Sequence, residues 1–128
     1  MRAKVSALIE QIESGQLKTN NAKILDKFVL NPEGLTVYDL RIHLGMAHQT
    51  LTSRISDLED MGVIFAYKTV ERTVDGKARK YTLYKYSKDS VRQMQNALLR
   101  RETKFNSIIK RLENEYQDLF TNYIQENY

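Results

Sequence analysis

The sequence predicts a mainly α-helical fold with a small β-hairpin, an α+β arrangement in which short helices precede the hairpin and one long helix closes the chain. Three observations predict it. Two helical patterns flank a glycine turn between Leu35 and Ile64, an Asp75-Gly76 pair separates two runs rich in β-branched and aromatic residues, and neither glycine nor proline occurs from Ser87 to Tyr128. Periods of 3.6 and 2 residues separate helix from strand, and glycine and proline punctuate them.

Val5, Leu8, Ile9 and Ile12 are spaced for an amphipathic helix that Ser14-Gly15 ends, so residues 1–17 read as an N-terminal helical extension. Thr19 caps a further helix that runs to about Leu30, with Ile24, Leu25, Phe28 and Val29 turned to a core. Asn31-Pro32-Glu33-Gly34 stops it, because proline disfavours helix in the residue before it.

Thr36 with Asp39 three residues on is a capping-box variant, which starts a helix near Val37 with Leu40 and Leu44 on one face. Gly45 leaves that helix, and Gly45-Met46-Ala47 is the turn. Beyond it Leu51, Ile55 and Leu58 recur at i, i+4 and i+7, while every other position from His48 to Asp60 is polar. This helix has one apolar stripe and one free face. Gln49, Ser53, Ser56 and Asp60 lie farthest from the stripe, flanked by Thr50, Thr52, Arg54 and Asp57. Short hydrogen-bonding side chains without a bulky apolar group suit a helix that enters a DNA major groove. On that reading His48, Gln49, Thr50 and Ser53 meet base edges, and Thr52 and Arg54 meet the backbone. The alternative is an ordinary solvated face.

Gly62 caps the end of this helix, and strands are expected over residues 63–72 and 78–86, joined through Thr73 to Lys77. Asp-Gly between such runs is a strong hairpin signal. Arg72, Lys77, Arg79 and Lys80 surround the tip, with only Glu71 and Asp75 opposing them, so the cluster suits phosphates. Basic residues also protect exposed strand edges from aggregation, and the two roles are compatible.

The string Gly45, Met46, Ala47, Thr50, Leu51, Thr52, Ile55, Leu58, Glu59, Gly62, Val63, Ile64 resembles the recognition-helix pattern of winged helix-turn-helix regulators of the MarR and PadR type. Ala47 departs from it, standing where that family has a capping serine. The resemblance covers about the middle half of the chain. It implies a winged helix-turn-helix domain over residues 18–87, with Leu35 as a stub of strand, the second helix of the motif as DNA reader, and the hairpin as a wing on the backbone or in the minor groove.

Residues 88–128 are expected to form one long helix, capped at Ser87. Val91, Met94, Leu98, Phe105, Ile108 and Leu112 step by three and four with Arg101 in the one missing slot, and after an extra four-residue step come Tyr116, Leu119 and Tyr123. This is a heptad seam with a stutter, widened by Ile109, Phe120 and Ile124. A 40-residue helix is about 60 Å long, twice the width of a small domain, so a second copy of the same helix is the simplest partner and a homodimer is expected. A long terminal helix of this kind also resembles PadR-type regulators and bacterial replication terminator proteins.

Composition narrows the function classes. The 128 residues fit one domain, and the absence of cysteine excludes disulfides and thiolate metal sites and makes the cytoplasm the expected location. No apolar run approaches the ~20 residues that span a bilayer, and the first residues do not read as a signal peptide, so no membrane partner is expected. Charge is uneven. Residues 63–104 hold eleven Lys and Arg against four Asp and Glu, a net +7, while residues 1–62 carry −1 and 105–128 carry −2. A localised basic excess is the footprint of a polyanion partner or a basic-biased solvated surface. His43 and His48 have no metal-ligand spacing, and the tyrosines at 67, 81, 84 and 86 read as strand residues before they read as a stacking or effector site. The sequence names no small-molecule effector. No glycine-rich phosphate loop, metal cluster or nucleophile with a histidine partner is present, so neither an enzyme nor a cofactor is expected. The expected function is a sequence-specific double-stranded-DNA-binding dimer, most simply a transcriptional regulator. A replication or partition factor and a winged-helix protein-interaction module are the alternatives, since fold alone does not fix function.

Overall fold

The computed structural model describes residues 2–127: five helices and one antiparallel hairpin, in the order α1 (Arg2–Ser14), α2 (Asn20–Leu30), α3 (Val37–Leu44), α4 (His48–Asp60), β1 (Ile64–Val74), β2 (Lys77–Tyr86) and α5 (Ser90–Asn127). No helix among these residues is long and apolar enough to cross a membrane.

The helix boundaries follow from side chains that satisfy orphan backbone groups. Thr19 accepts from the Ala22 N–H at 3.1 Å, and Gln11 Oε1 accepts from the Lys18 and Thr19 N–H groups, tying the α1–α2 turn together. At α3 the capping box is complete, with the Asp39 N–H donating to Thr36 Oγ1 and the Thr36 N–H to Asp39 Oδ2. α4 has no side-chain cap, because Ala47 supplies no oxygen. It ends at Asp60 as expected: Met61 is the C-cap, and Gly62 follows as the left-handed residue at φ +79°, with the Val63 N–H reaching the Leu58 carbonyl at 3.2 Å. That is a Schellman ending, with Val63 and Leu58 both buried as its usual apolar contact.

One core holds α1 to α4 and the base of the hairpin together. Ile24, Leu25, Phe28, Leu40, Leu51 and Leu58 are fully buried in it, and Val5 and Leu8 join them, so α1 is an integral part of the packing. Burying six such side chains removes apolar area that contributes roughly 1.5–3 kcal/mol each, before chain entropy is set against it.

The strands run longer than expected, and the loop shrinks to Asp75 and Gly76, at φ +52° and +76°. Two consecutive left-handed residues make a turn whose twist matches the strands, so pairing continues to Val74↔Lys77. A bulge between Ala66 and Lys68 leaves Tyr67 outside the ladder. Leu35 forms the anticipated stub, exchanging both backbone hydrogen bonds with Tyr84 at 2.9 Å.

α5 starts at Ser90, later than expected. Ser87 is buried and pairs its N–H with the Val63 carbonyl, while the Asp89 carboxylate accepts from the Arg92 N–H and caps the helix. The first turns of α5 lie against the α4–β1 corner. A Cβ on Gly62 would sit 1.9 Å from the Gln93 carbonyl oxygen, so only glycine permits this approach. Asn96 donates to the Gly62 carbonyl, Arg100 bonds Ser56 and Asp60 and lies 3.6 Å from Glu59, and Lys104 reaches Asp60 at 2.6 Å. These bonds hold the Asp60 carboxyl below its ordinary range although burial opposes them, whereas burial pushes Glu59 up. Beyond Arg100 every described residue of α5 is exposed.

Candidate nucleic-acid interface

α4 is aimed by its apolar stripe. Leu51, Ile55 and Leu58 are at most 2% exposed, which turns the opposite face outward with His48, Gln49, Thr52 and Ser53 exposed and Thr50 half-buried. Because nothing caps its start, the first-turn N–H groups keep their partial positive charge at the end that faces away from α5. Local bonds organise the face. The Thr52 hydroxyl donates to the Gln49 carbonyl, and Arg54 donates to Ser53 Oγ at 3.1 Å while pairing with Asp57 at 3.3 Å.

Between the α3 N-terminal half, the start of α4 and strand β2 lies a cleft of about 410 Å³. Arg41, His48, Arg79 and Lys80 line it, and the rings of Tyr38 and Tyr81 stack at its wall, 5.8 Å between centroids. His48, Arg79 and Lys80 were expected at such a surface; Arg41 and Tyr38 were not. Tyr38 and Arg41 are three residues apart on one face of α3, and only the packing of α3 against β2 brings that face to the cleft. Several cationic groups around one concavity, beside a positive helix end, form a site for anionic groups.

The hairpin presents Lys77, Arg79 and Lys80 to solvent. Arg72, expected among them as a phosphate contact, has a partner inside the molecule. Its Nε and Nη2 lie 3.2 Å from the two oxygens of Asp39, the same carboxylate that completes the α3 capping box. Burial raises the Asp39 carboxyl, but the hydrogen bonds from Arg72 and from Thr36 outweigh it and hold the group below the usual carboxylate range. Arg72 therefore braces the hairpin against α3 through a bidentate charge-assisted pair.

The four strand tyrosines divide. Tyr81 stacks in the cleft, and Tyr84 and Tyr86 pack against the core, where burial pushes their hydroxyls up. Tyr67 stays exposed in its bulge, with the Lys85 ammonium 3.8 Å above its ring and Phe65 edge-on.

The seam residues of α5 are brought together as one stripe but covered by nothing: Val91, Met94, Leu98, Phe105, Tyr116, Leu119 and Tyr123 are all more than half exposed, and Ile108 and Leu112 nearly so. No protein-family model matches the chain, and no curated protein matches it significantly.

Proposed function

We propose that the chain is a sequence-specific double-stranded-DNA-binding protein that works as a homodimer and regulates transcription, with a winged helix-turn-helix as its binding unit. In this reading α4 enters the major groove, and the β1–β2 hairpin is the wing. The observation that carries it is the junction of two surfaces: the polar, uncapped start of α4 opens directly onto the cleft of Arg41, His48, Arg79 and Lys80. Base edges need short donors and acceptors, and phosphates need cations one strand away, and this junction supplies both side by side.

The division of labour is concrete. Gln49 is suited to bidentate pairing with adenine, and Ser53 and Thr50 to single hydrogen bonds, while Lys77, Arg79 and Lys80 supply affinity without sequence information. Arg72 acts at one remove, by holding the hairpin at its angle to α3.

A salt titration of binding to a selected duplex and to a scrambled one, followed by fluorescence anisotropy, tests the assignment. Lys80→Ala is expected to weaken both duplexes alike and to reduce the salt slope by about 0.9, the value for one lost phosphate contact. Gln49→Ala is expected to lose ~1–3 kcal/mol of discrimination and to leave the slope unchanged. Absence of binding to any duplex at low salt would leave the fold as a protein-interaction scaffold.

A further inference from the structure

The uncovered stripe on α5 has an internal symmetry. Its seam positions Arg101, Phe105, Ile108, Leu112, Tyr116, Leu119 and Tyr123 are separated by steps of four, three, four, four, three and four, which read the same in both directions about Leu112. The extra step that looks like a stutter along one helix is the centre of this symmetry.

We propose that α5 pairs with α5 of a second copy in the antiparallel sense, about a twofold axis at Leu112. The inference rests on the self-association within the reading above and adds to it the orientation, the register and the site each copy completes in the other.

Charge decides between the two orientations. Within α5, residues before Leu112 include six cations, Arg92, Arg100, Arg101, Lys104, Lys110 and Arg111, against Glu102 alone, with Arg100 and Lys104 also paired to Glu59 and Asp60 of α4; residues after it include Glu113, Glu115, Asp118 and Glu126 and no cation. Antiparallel pairing lays the basic half of each helix along the acidic half of the other. A parallel pair in register lays like on like and sets two Arg101 side chains against each other within the seam. Antiparallel pairing instead places Arg101 opposite the partner's Tyr123, with the partner's Glu126 one turn on, and stacks Phe105 on the partner's Leu119 and Ile108 on the partner's Tyr116. Complementary flanking charges of this kind set partner orientation in helical pairs.

The same register accounts for an open groove. Between α1 and the first turns of α5 lies an apolar trough of about 420 Å³, with Val5, Met61, Met94 and Leu98 among its walls and Arg101 at one end. In the antiparallel register the last turns of the partner helix, with Tyr123 and Ile124, arrive beside Leu98 and Arg101 and cover the mouth of this trough. A parallel partner would bring its own first turns and its own globular body to the same place.

The geometry also spaces the two bodies. Ala97, the last α5 residue buried in the domain, is 15 residues from Leu112, so the two Ala97 positions stand about 45 Å apart along the helix pair.

The chain has no cysteine, so single-cysteine variants report on the pairing directly. Phe105→Cys and Leu119→Cys replace exposed side chains and leave the core untouched. Sedimentation equilibrium should give a dimer whose dissociation increases with salt, and oxidation of a mixture of the two variants should give the 105-to-119 mixed disulfide. Either variant oxidised alone should give no disulfide, because its two sulfurs lie about 21 Å apart along the pair, far beyond disulfide reach. Spin labels at 105 should show the same separation by dipolar spectroscopy without requiring bond geometry. Disulfide-linked homodimers of either variant alone, a short 105-to-105 spin distance, or a dimer that yields no mixed disulfide would each overturn the antiparallel register while leaving self-association standing. A monomer at all salt concentrations would overturn both, and the salt-slope comparison of Lys80→Ala and Gln49→Ala would still judge DNA binding by itself.

Discussion

α4 and α5 are both amphipathic helices with a narrow apolar stripe, and they use it in opposite ways. α4 buries its stripe completely inside its own domain and leaves the polar face of its first half free, its second half being bonded to α5; α5 anchors through Gln93 and Ala97 and leaves its apolar stripe in solvent. A polar free face is at rest in water and becomes informative only through its chemistry. An apolar free face over some ten turns is not at rest in water, and exposed patches of that extent are rare on monomers. On the proposed reading, the difference separates a helix that reads from a helix that joins.

The largest expected contrast is between Leu51→Ala and Leu112→Ala. The first opens a cavity in the core and should cost about 2–5 kcal/mol in urea unfolding. The second removes an exposed side chain of the folded chain and should leave the unfolding of the α1–β2 body unchanged within about 0.5 kcal/mol at concentrations where the protein is monomeric. A large loss from Leu112→Ala under those conditions would mean that the α5 stripe is covered within its own chain.

Gly62→Ala tests the joint between the two helices. The added Cβ meets the Gln93 carbonyl oxygen in a backbone conformation at φ +79° that alanine disfavours, so a loss of about 1–3 kcal/mol is expected, together with faster amide exchange in the first turns of α5. Unchanged exchange there would show that the corner yields without releasing the helix.

A smaller effect concerns pH. Asp39 and Asp60 are held below their unfolded values, so each contributes stability that is fully present above about pH 4 and is lost as pH falls through the folded value. Glu59 runs the other way, because its raised value means that protonation on acidification relieves a burial penalty. Asp39→Asn should therefore flatten the fall of the urea midpoint between pH 5 and pH 2.5 relative to the parent chain. An identical acid limb in the two proteins would show that the Asp39 to Arg72 pair contributes nothing to folding.

Much of the fold was legible because local rules agreed with the tertiary outcome. Thr19, Thr36 with Asp39, and Gly45 placed three helix ends, and Leu51, Ile55 and Leu58 declared which side of α4 is buried, since caps and periodicity act over a few residues. The misplaced features depend on distant partners. Ser87 looked like a cap by type, but its backbone is claimed by Val63 and Gln93, and Asp89 took the role. Arg72 looked like a solvent-facing cation, yet its partner is 33 residues away on α3, a contact that only the fold brings together. Arg41 and Tyr38 joined the cleft for the same reason, because the angle between α3 and β2 is written in packing and not in spacing.

The joint at Gly62 makes α5 a lever. The clamp formed by Asn96, Arg100 and Lys104 grips α4 near the fulcrum, and the free arm from there to Leu112 measures roughly 20 Å. A tilt of 10° at the fulcrum displaces the far end of that arm by ~3.5 Å, which is about the rise of one base pair along duplex DNA. A loosening of about 10° at three side-chain contacts thus translates into about one base-pair rise at the axis of the proposed pair, so on the DNA-binding reading substitutions at Arg100 should be felt as a change in which half-site separation is preferred before they are felt as a loss of folding.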